Sequence, residues 1–136
     1  MAANTSPIFL GTPRTSWIST GTAANTALDG TGTVATVFTA GANGSKIETV
    51  SLEHLGTNVA TVVRFFVNNG SSNAVAANNT LVHEETMAAN TLSQVAKSVD
   101  LTWTANKVLP AGYKLNVTIG TAIAAGIQVT ADGGDY

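Results

Sequence analysis

The sequence predicts an all-β protein: an antiparallel β-sandwich or jelly roll of about seven or eight strands, preceded by an extended N-terminal arm. Short runs rich in β-branched and aromatic residues recur along the chain. Clusters of Gly, Asn and Pro separate these runs, as turns separate strands in all-β domains. The runs follow one another at intervals of roughly 8 to 20 residues, and no segment has the periodicity of a long helix.

Residues 1–32 are predicted to form the arm. They are rich in Thr, Ser, Ala, Gly and Asn, and Pro7 and Pro13 interrupt regular structure because proline cannot donate to a strand ladder. Apolar side chains in this segment would be costly to leave in water, so we expect the arm to lie on its own sandwich or on a neighbouring subunit. The apolar residues without an obvious core partner are the candidate inter-subunit contacts: Ile8, Phe9, Leu10, Trp17 and Ile18.

Residues 33–136 are predicted to form the sandwich domain. The clearest strand begins at Tyr113, where apolar residues at odd positions alternate with polar residues as far as Gly120. Asn69-Gly70 predicts the turn of a hairpin, although the polar residues that follow it fit a longer loop equally well. The predicted strands, in order, span residues 32–39, 46–53, 60–68, 78–87, 93–103, 113–120 and 126–131.

Charged residues are scarce, and this predicts association with other subunits. Only 10% of the residues are charged, whereas about 25% are charged in ordinary globular proteins. Because a weakly charged surface gives little protection against association, we expect an oligomer or a docked subunit. A monomer whose surface is covered by Thr and Asn is the alternative.

The composition argues against several other classes of protein. The net charge is −2 and the six basic residues stand singly in the sequence, so no patch for nucleic acid is predicted. No apolar run approaches the roughly 20 residues of a membrane-spanning helix. The absence of cysteine excludes disulfides and thiolate metal sites. The N-terminus lacks the basic and apolar regions of a signal peptide, so we expect synthesis in a cytoplasm.

The sequence predicts no catalytic, cofactor or metal site. His54 and His83 lie beside glutamates, and imidazole with carboxylate suits zinc, but their spacing matches no standard motif. Glu84 and Glu85 would point to opposite faces of a regular strand, so they could not serve one pocket as acid and base. The structural interpretation, in which these are surface or interface residues, is therefore favoured.

The aromatic residues offer another interpretation. Trp17, Trp103 and Tyr113 are candidates for a sugar-binding platform. Trp103 and Tyr113 fall in the apolar phase of their predicted strands, however, which favours a place in the core. Trp17 fits an anchor for the arm, so the platform is the weaker interpretation.

Several glycine-containing segments resemble those of a known protein family, and the resemblance covers residues 19–136. They are Asp29-Gly30-Thr31-Gly32, Thr39-Ala40-Gly41-Ala42-Asn43-Gly44, Leu55-Gly56-Thr57-Asn58, the run from Phe65 to Gly70, Leu109-Pro110-Ala111-Gly112-Tyr113 and Gly133-Gly134-Asp135-Tyr136. In these segments the chain resembles small proteins of tailed-phage and prophage structural modules, and in particular the capsid decoration (cement) protein family.

The resemblance implies a virion protein with a β-sandwich or jelly-roll core and no catalytic residues. Its partners would be the major capsid protein and further copies of itself, as trimers at local threefold positions on the outside of the head. Each contact can be modest, because a subunit that touches several capsomers gains avidity from effective concentration. If the arm makes these contacts, deletion of residues 2–18 should abolish capsid binding and leave a folded core.

Two other functions stay open. A tail- or fibre-associated jelly roll would bind a host surface or another virion protein through loops such as residues 68–79 or 102–107, although the chain has no shaft repeat of the kind fibres carry. An enzyme such as a small hydrolase would need a convergent set of polar residues, which the sequence does not contain.

Overall fold

A computed structural model describes residues 9–136 and confirms the predicted all-β sandwich. Within these residues the chain forms nine strands and one 3₁₀ helix, Ala76–Asn78. The strands are β1 (Thr12–Thr20), β2 (Ala35–Thr39), β3 (Ser45–His54), β4 (Thr61–Asn68), β5 (Asn79–Met87), β6 (Asp100–Trp103), β7 (Lys107–Leu109), β8 (Lys114–Ile119) and β9 (Ile127–Asp135).

The strands form two antiparallel sheets with the connectivity of a jelly roll. Sheet 1 has the order β1-β9-β3-β6, with β7 also paired to β3, and sheet 2 has the order β2-β8-β4-β5. β6 and β7 pair with successive parts of β3 and so act as one interrupted strand. The pairs β1–β9, β2–β8, β3–β6/β7 and β4–β5 nest inside one another, so the chain is a long hairpin rolled into two sheets.

Part of the segment predicted as an arm is instead a strand of the sandwich. β1 pairs with β9 along its whole length, from Thr12 opposite Asp135 to Thr20 opposite Ile127. β1 was not predicted from the sequence, because Pro13 and the many hydroxyl residues of this segment are typical of a loop. Both are tolerated here because β1 is an edge strand, which needs ladder hydrogen bonds on one side only.

Two smaller differences between the predicted and the observed strands lie between β5 and β8. Residues 93–99 were predicted to begin a strand, but they form a loop, and only Asp100–Trp103 is extended and paired. The apolar alternation that suggested a strand includes Val95, which is 97% exposed and therefore has no core to face. Lys107–Leu109 adds β7, whose three residues are too few to give a period in the sequence.

Alternation along the strands places one face of each sheet in a single core. β9 and β3 bury Val129 and Leu52 from sheet 1, while β4 and β8 bury Phe65 and Val117 from sheet 2. Each fully buried apolar side chain of this size stabilises the fold by about 1.5–3 kcal/mol relative to exposure. The core therefore fixes the two sheets, and with them the loops at both ends of the sandwich.

A second apolar contact lies on the outer face of sheet 2. Phe66 follows Phe65 and points the opposite way, yet it is fully buried, because the β1–β2 loop covers it. Gly30 has φ +76°, and a Cβ there would lie 2.6 Å from Asn79 Cβ and 3.0 Å from Phe66 Cδ1. Only glycine fits this close approach, so the loop depends on it to cover the sheet.

Stacked rings close the open edge between β5 and β6. His83 and Trp103 stack at 4.4 Å between ring centroids with an interplanar angle of 7°, and Phe65 lies 5.2 Å from Trp103. Nε2 of His83 donates to Glu85 Oε2 at 2.9 Å, which orients the imidazole. The predicted core position of Trp103 is confirmed, and the pairing explains His83 as a structural residue.

Candidate functional site

The structure separates the five predicted contact residues. Ile8 lies outside the described residues. Phe9 is 78% exposed and Leu10 is half-buried, both just before β1. Trp17 is 64% exposed on the outer face of sheet 1. Ile18 points to the other face and packs against the core, so it has the core partner that the sequence did not reveal.

Arg14 fixes β1 to the sandwich. Its Nη1 donates to Thr39 O at 2.8 Å and to Asp135 Oδ1 at 3.0 Å, and its guanidinium lies 4.4 Å from the Phe38 ring centroid. The Ser45 hydroxyl also donates to Asp135. The Ser45 hydrogen bond, together with Arg14, holds the pKa of Asp135 below its usual range. β1 is therefore held by both a ladder and a partly exposed ion pair.

We call one end of the sandwich the apolar loop end. It consists of residues 55–60, 88–99 and 120–126, the loops that follow β3, β5 and β8. Lys97 is the one charged residue in these loops, and it pairs with Asp100 at 2.8 Å. Large apolar side chains stand exposed here: Leu55 at 47%, Val59 at 57%, Leu92 at 57% and Val95 at 97%.

Buried amides hold the loops of this end together. Asn58 and Asn90 exchange two backbone hydrogen bonds of 2.9 Å, which join the first loop to the second. The Asn58 side chain donates to Gly126 O at 2.8 Å and accepts from Ala125 N at 2.8 Å, which joins the third loop. Asn90 Nδ2 donates to Gly56 O at 2.8 Å. The exposed apolar residues thus stand on a fixed backbone.

His54 belongs to the same network. Its Nε2 donates to Ala88 O at 2.9 Å, and its Nδ1 accepts from Asn58 Nδ2 at 3.0 Å. With these partners Nε2 is the donor of the ring and Nδ1 is its acceptor. His54 is buried, so it is a structural residue of the apolar loop end and not an accessible metal ligand.

The opposite end, which we call the terminal end, contains a long loop rich in Asn and Ser. It consists of residues 40–44, 69–78 and 110–113 together with residues 9–11 and Tyr136. Asparagine amides stabilise its longest loop: Asn68 Nδ2 donates to Asn79 Oδ1 at 2.8 Å, and Asn78 Nδ2 donates to Ser72 O at 2.8 Å. This end and the apolar loop end lie at opposite limits of the same strands.

The polar residues that the sequence offered for metal binding or acid–base chemistry lie apart or have structural partners. Within residues 9–136 no group of three or more His, Asp or Glu side chains is placed to hold a metal ion. Glu84 pairs with Arg64 at 2.7 Å, whereas Glu85 contacts His83, so the two glutamates have separate partners. The aromatic platform is also not formed, because Trp17 is exposed while Trp103 and Tyr113 pack against the core.

The apolar loop end was missed in the sequence. Its Leu and Val residues stand singly in the sequence, inside segments rich in Gly, Asn, Thr and Ala. Each residue alone is unremarkable, because isolated exposed apolar residues are common on protein surfaces. Only the fold brings loops from three distant parts of the chain to one end.

Comparison with protein-family models, with curated proteins and with solved structures finds no match for this chain. In the part of the chain that the structure describes, no helix is long and apolar enough to cross a membrane.

Proposed function

We propose that the protein is a structural virion protein of a tailed phage, a capsid decoration (cement) protein that binds the outside of the head. In this role it bridges subunits of the major capsid protein and stabilises the shell. The observation that carries the proposal is the apolar loop end, where exposed Leu and Val side chains stand on a rigid, almost uncharged platform. The sequence resemblance supports the same role.

The apolar loop end has the features of a protein-binding surface. The centres of protein interfaces are depleted of charged residues and enriched in apolar ones. A surface whose backbone is already fixed loses little conformational entropy when a partner binds. The hydrogen bonds of Asn58 and Asn90 supply that rigidity here.

Phe9 and Trp17 provide a second set of contacts. Phe9 lies at the terminal end just before β1, and Trp17 lies on β1 at the outer face of sheet 1. A subunit with two separate apolar contact sets can touch a neighbouring copy with one and a capsomer with the other. In a closed trimer the contacts between copies are heterologous, so two different surfaces are required.

Substitution of the most exposed apolar loop residues tests the proposal. We expect the double variant Leu92→Ser, Val95→Ser to remain folded but to decorate expanded shells with an affinity reduced about tenfold or more. The matched control is Val108→Ser, whose side chain is 62% exposed on β7, outside the apolar loop end. Occupancy is measured by cryo-electron microscopy of shells mixed with each variant.

Wild-type occupancy by the double variant would contradict a role for this surface in shell binding. Density for the protein on the tail or on a fibre, and none on the head, would instead favour the tail-associated alternative. Light scattering of the free protein gives a separate test of the proposed homotrimer.

A further inference from the structure

A polar pocket opens on the outer face of sheet 2 beside the terminal end. Its volume is about 230 Å³. Residues from the β1–β2 loop, from three strands of sheet 2 and from the β4–β5 loop line it: Val34, Thr36, Asn68, Gly70, Ser71, Ser72, Asn73, Lys114 and Asn116. The pocket is separate from both apolar contact sets.

The loop that forms one wall of the pocket is held in place. Asn79 Nδ2 donates to Asn73 O at 2.9 Å, and Asn73 Nδ2 donates to Gly32 O at 2.8 Å. Gly70 has φ +90°, and a Cβ there would lie 2.9 Å from Gly112 O. Because the wall is fixed by these contacts, a ligand does not have to order it, which favours binding.

Lys114 and Asn116 each bring to the pocket a hydrogen-bond donor that has no acceptor among the described residues. Lys114 makes no ion pair with any residue in the range 9–136, and no Asp or Glu lines the pocket. Asn116 is 2% exposed, and its Oδ1 accepts from Thr36 Oγ1 at 2.7 Å. Its Nδ2 has no partner among the described residues. The pocket therefore favours an acceptor that carries negative charge.

We propose that this pocket binds an acidic saccharide through the carboxylate on its sugar ring. A single lysine balances a single negative charge, and Asn116 Nδ2 supplies a second donor to the carboxylate. The hydroxyls of Ser71 and Ser72 and the side-chain amide oxygen of Asn73 suit the ring hydroxyls, and Val34 gives the ring one apolar wall. This ligand site goes beyond the proposed binding to the capsid and does not depend on it.

The proposal is tested by titrating the isotope-labelled full chain with sodium glucuronate and following amide resonances by NMR. We expect saturable shifts confined to the residues that line the pocket. Glucose, which lacks the carboxylate, should bind about tenfold more weakly because the charge-assisted hydrogen bonds are lost. Lys114→Gln should weaken glucuronate binding to the level of glucose, and Ser71→Ala should weaken both sugars.

Lys107→Gln is the matched control, because Lys107 lies on β7 of sheet 1 and does not line the pocket. It should keep wild-type affinity for glucuronate. The absence of saturable shifts with glucuronate, or wild-type affinity in Lys114→Gln, would overturn the proposal. Acetate or a glutamate-containing peptide that binds as tightly as glucuronate would also overturn it, because the sugar ring would then contribute nothing.

Discussion

The two ends of the sandwich are held together by different chemistry. At the terminal end the first and last strands are joined by charge, with Arg14 donating to Asp135 and Ser45 supporting the same carboxylate. At the apolar loop end the loops are joined by neutral groups, the amides of Asn58 and Asn90 with the imidazole of His54. The first end carries a polar pocket beside it, and the second presents Leu and Val side chains to solvent.

A weakly charged chain can thus form two unlike surfaces on one scaffold. The amides of Asn58 and Asn90 are directed inward to backbone groups, so they add no polarity to the exposed surface of their end. In the β4–β5 loop, asparagines also bind backbone groups, yet Lys114 and Asn116 remain available to a ligand. Rigidity is common to both ends, and the exposed side chains set what each can bind.

Deletion of residues 2–18 tests how much the terminal end depends on β1, and we expect the largest effect here. The deletion removes Arg14 and Ile18 and leaves β9 paired on one side only, with β3. The loss should be on the order of 5 kcal/mol, comparable with the whole stability of a marginal domain. This replaces the sequence-based expectation that the truncated chain keeps a folded core. Urea unfolding followed by circular dichroism measures the loss.

The control for this truncation is a deletion of residues 2–9, which removes no residue of a described strand. It should unfold at the wild-type urea midpoint. If the longer deletion also unfolds at that midpoint, β1 is dispensable and the charged contacts of the terminal end do not hold the fold.

Asn58→Ala tests the neutral network of the apolar loop end. The substitution removes the hydrogen bonds to Gly126 O and Ala125 N and leaves the buried Nδ1 of His54 without its donor. We expect a loss of about 2–3 kcal/mol in the free energy of unfolding. Hydrogen exchange should quicken in residues 55–60, 88–99 and 120–126 before it changes elsewhere.

Asn69→Ala is the matched control, because Asn69 makes its side-chain hydrogen bonds at an exposed position of the terminal end. We expect its effect to stay within about 0.5 kcal/mol. An equal loss in both variants would show that the two ends do not differ in their dependence on buried amides.

The central strands of sheet 2 could be predicted because their sequence pattern is local. Alternation from Tyr113 to Gly120 gave β8, and turn residues at Asn69-Gly70 gave the end of β4. β1 could not be predicted in this way, because its pairing with β9 joins residues more than a hundred positions apart and its edge position tolerates Pro13. The jelly-roll order depends on such distant pairs and has no local signal.

The candidate surfaces were harder to predict than the fold. Exposed Phe9 and Trp17 were among the predicted contacts, whereas Ile18 was included because alternation on β1 was not recognised. The apolar loop end joins three loops, and the pocket joins a loop to an outer sheet face. A sequence read in order contains no information about which loops meet, so neither surface could be found before the topology was known.

Asp135→Asn tests the charged contacts of the terminal end, with the smallest expected effect. The Ser45 hydroxyl and Arg14 stabilise the ionised carboxylate and hold its pKa below the ordinary value of 3.8. The stabilisation is therefore complete above that value and is lost as the pH falls through the folded-state pKa. At pH 7 we expect the variant to lose about 1 kcal/mol, because a charge-assisted hydrogen bond becomes a neutral one.

The pH dependence separates this effect from simple loss of packing. The difference in unfolding free energy between wild type and Asp135→Asn should shrink as the pH falls below 3.8, because the wild-type carboxylate then becomes neutral as well. Ser45→Ala should reduce the same pH dependence, since it removes the main partner of the ionised form. A difference that stays constant from neutral to acidic pH would mean that the charge of Asp135 does not hold this end together. The contrast with the neutral apolar loop end would then lose its physical basis.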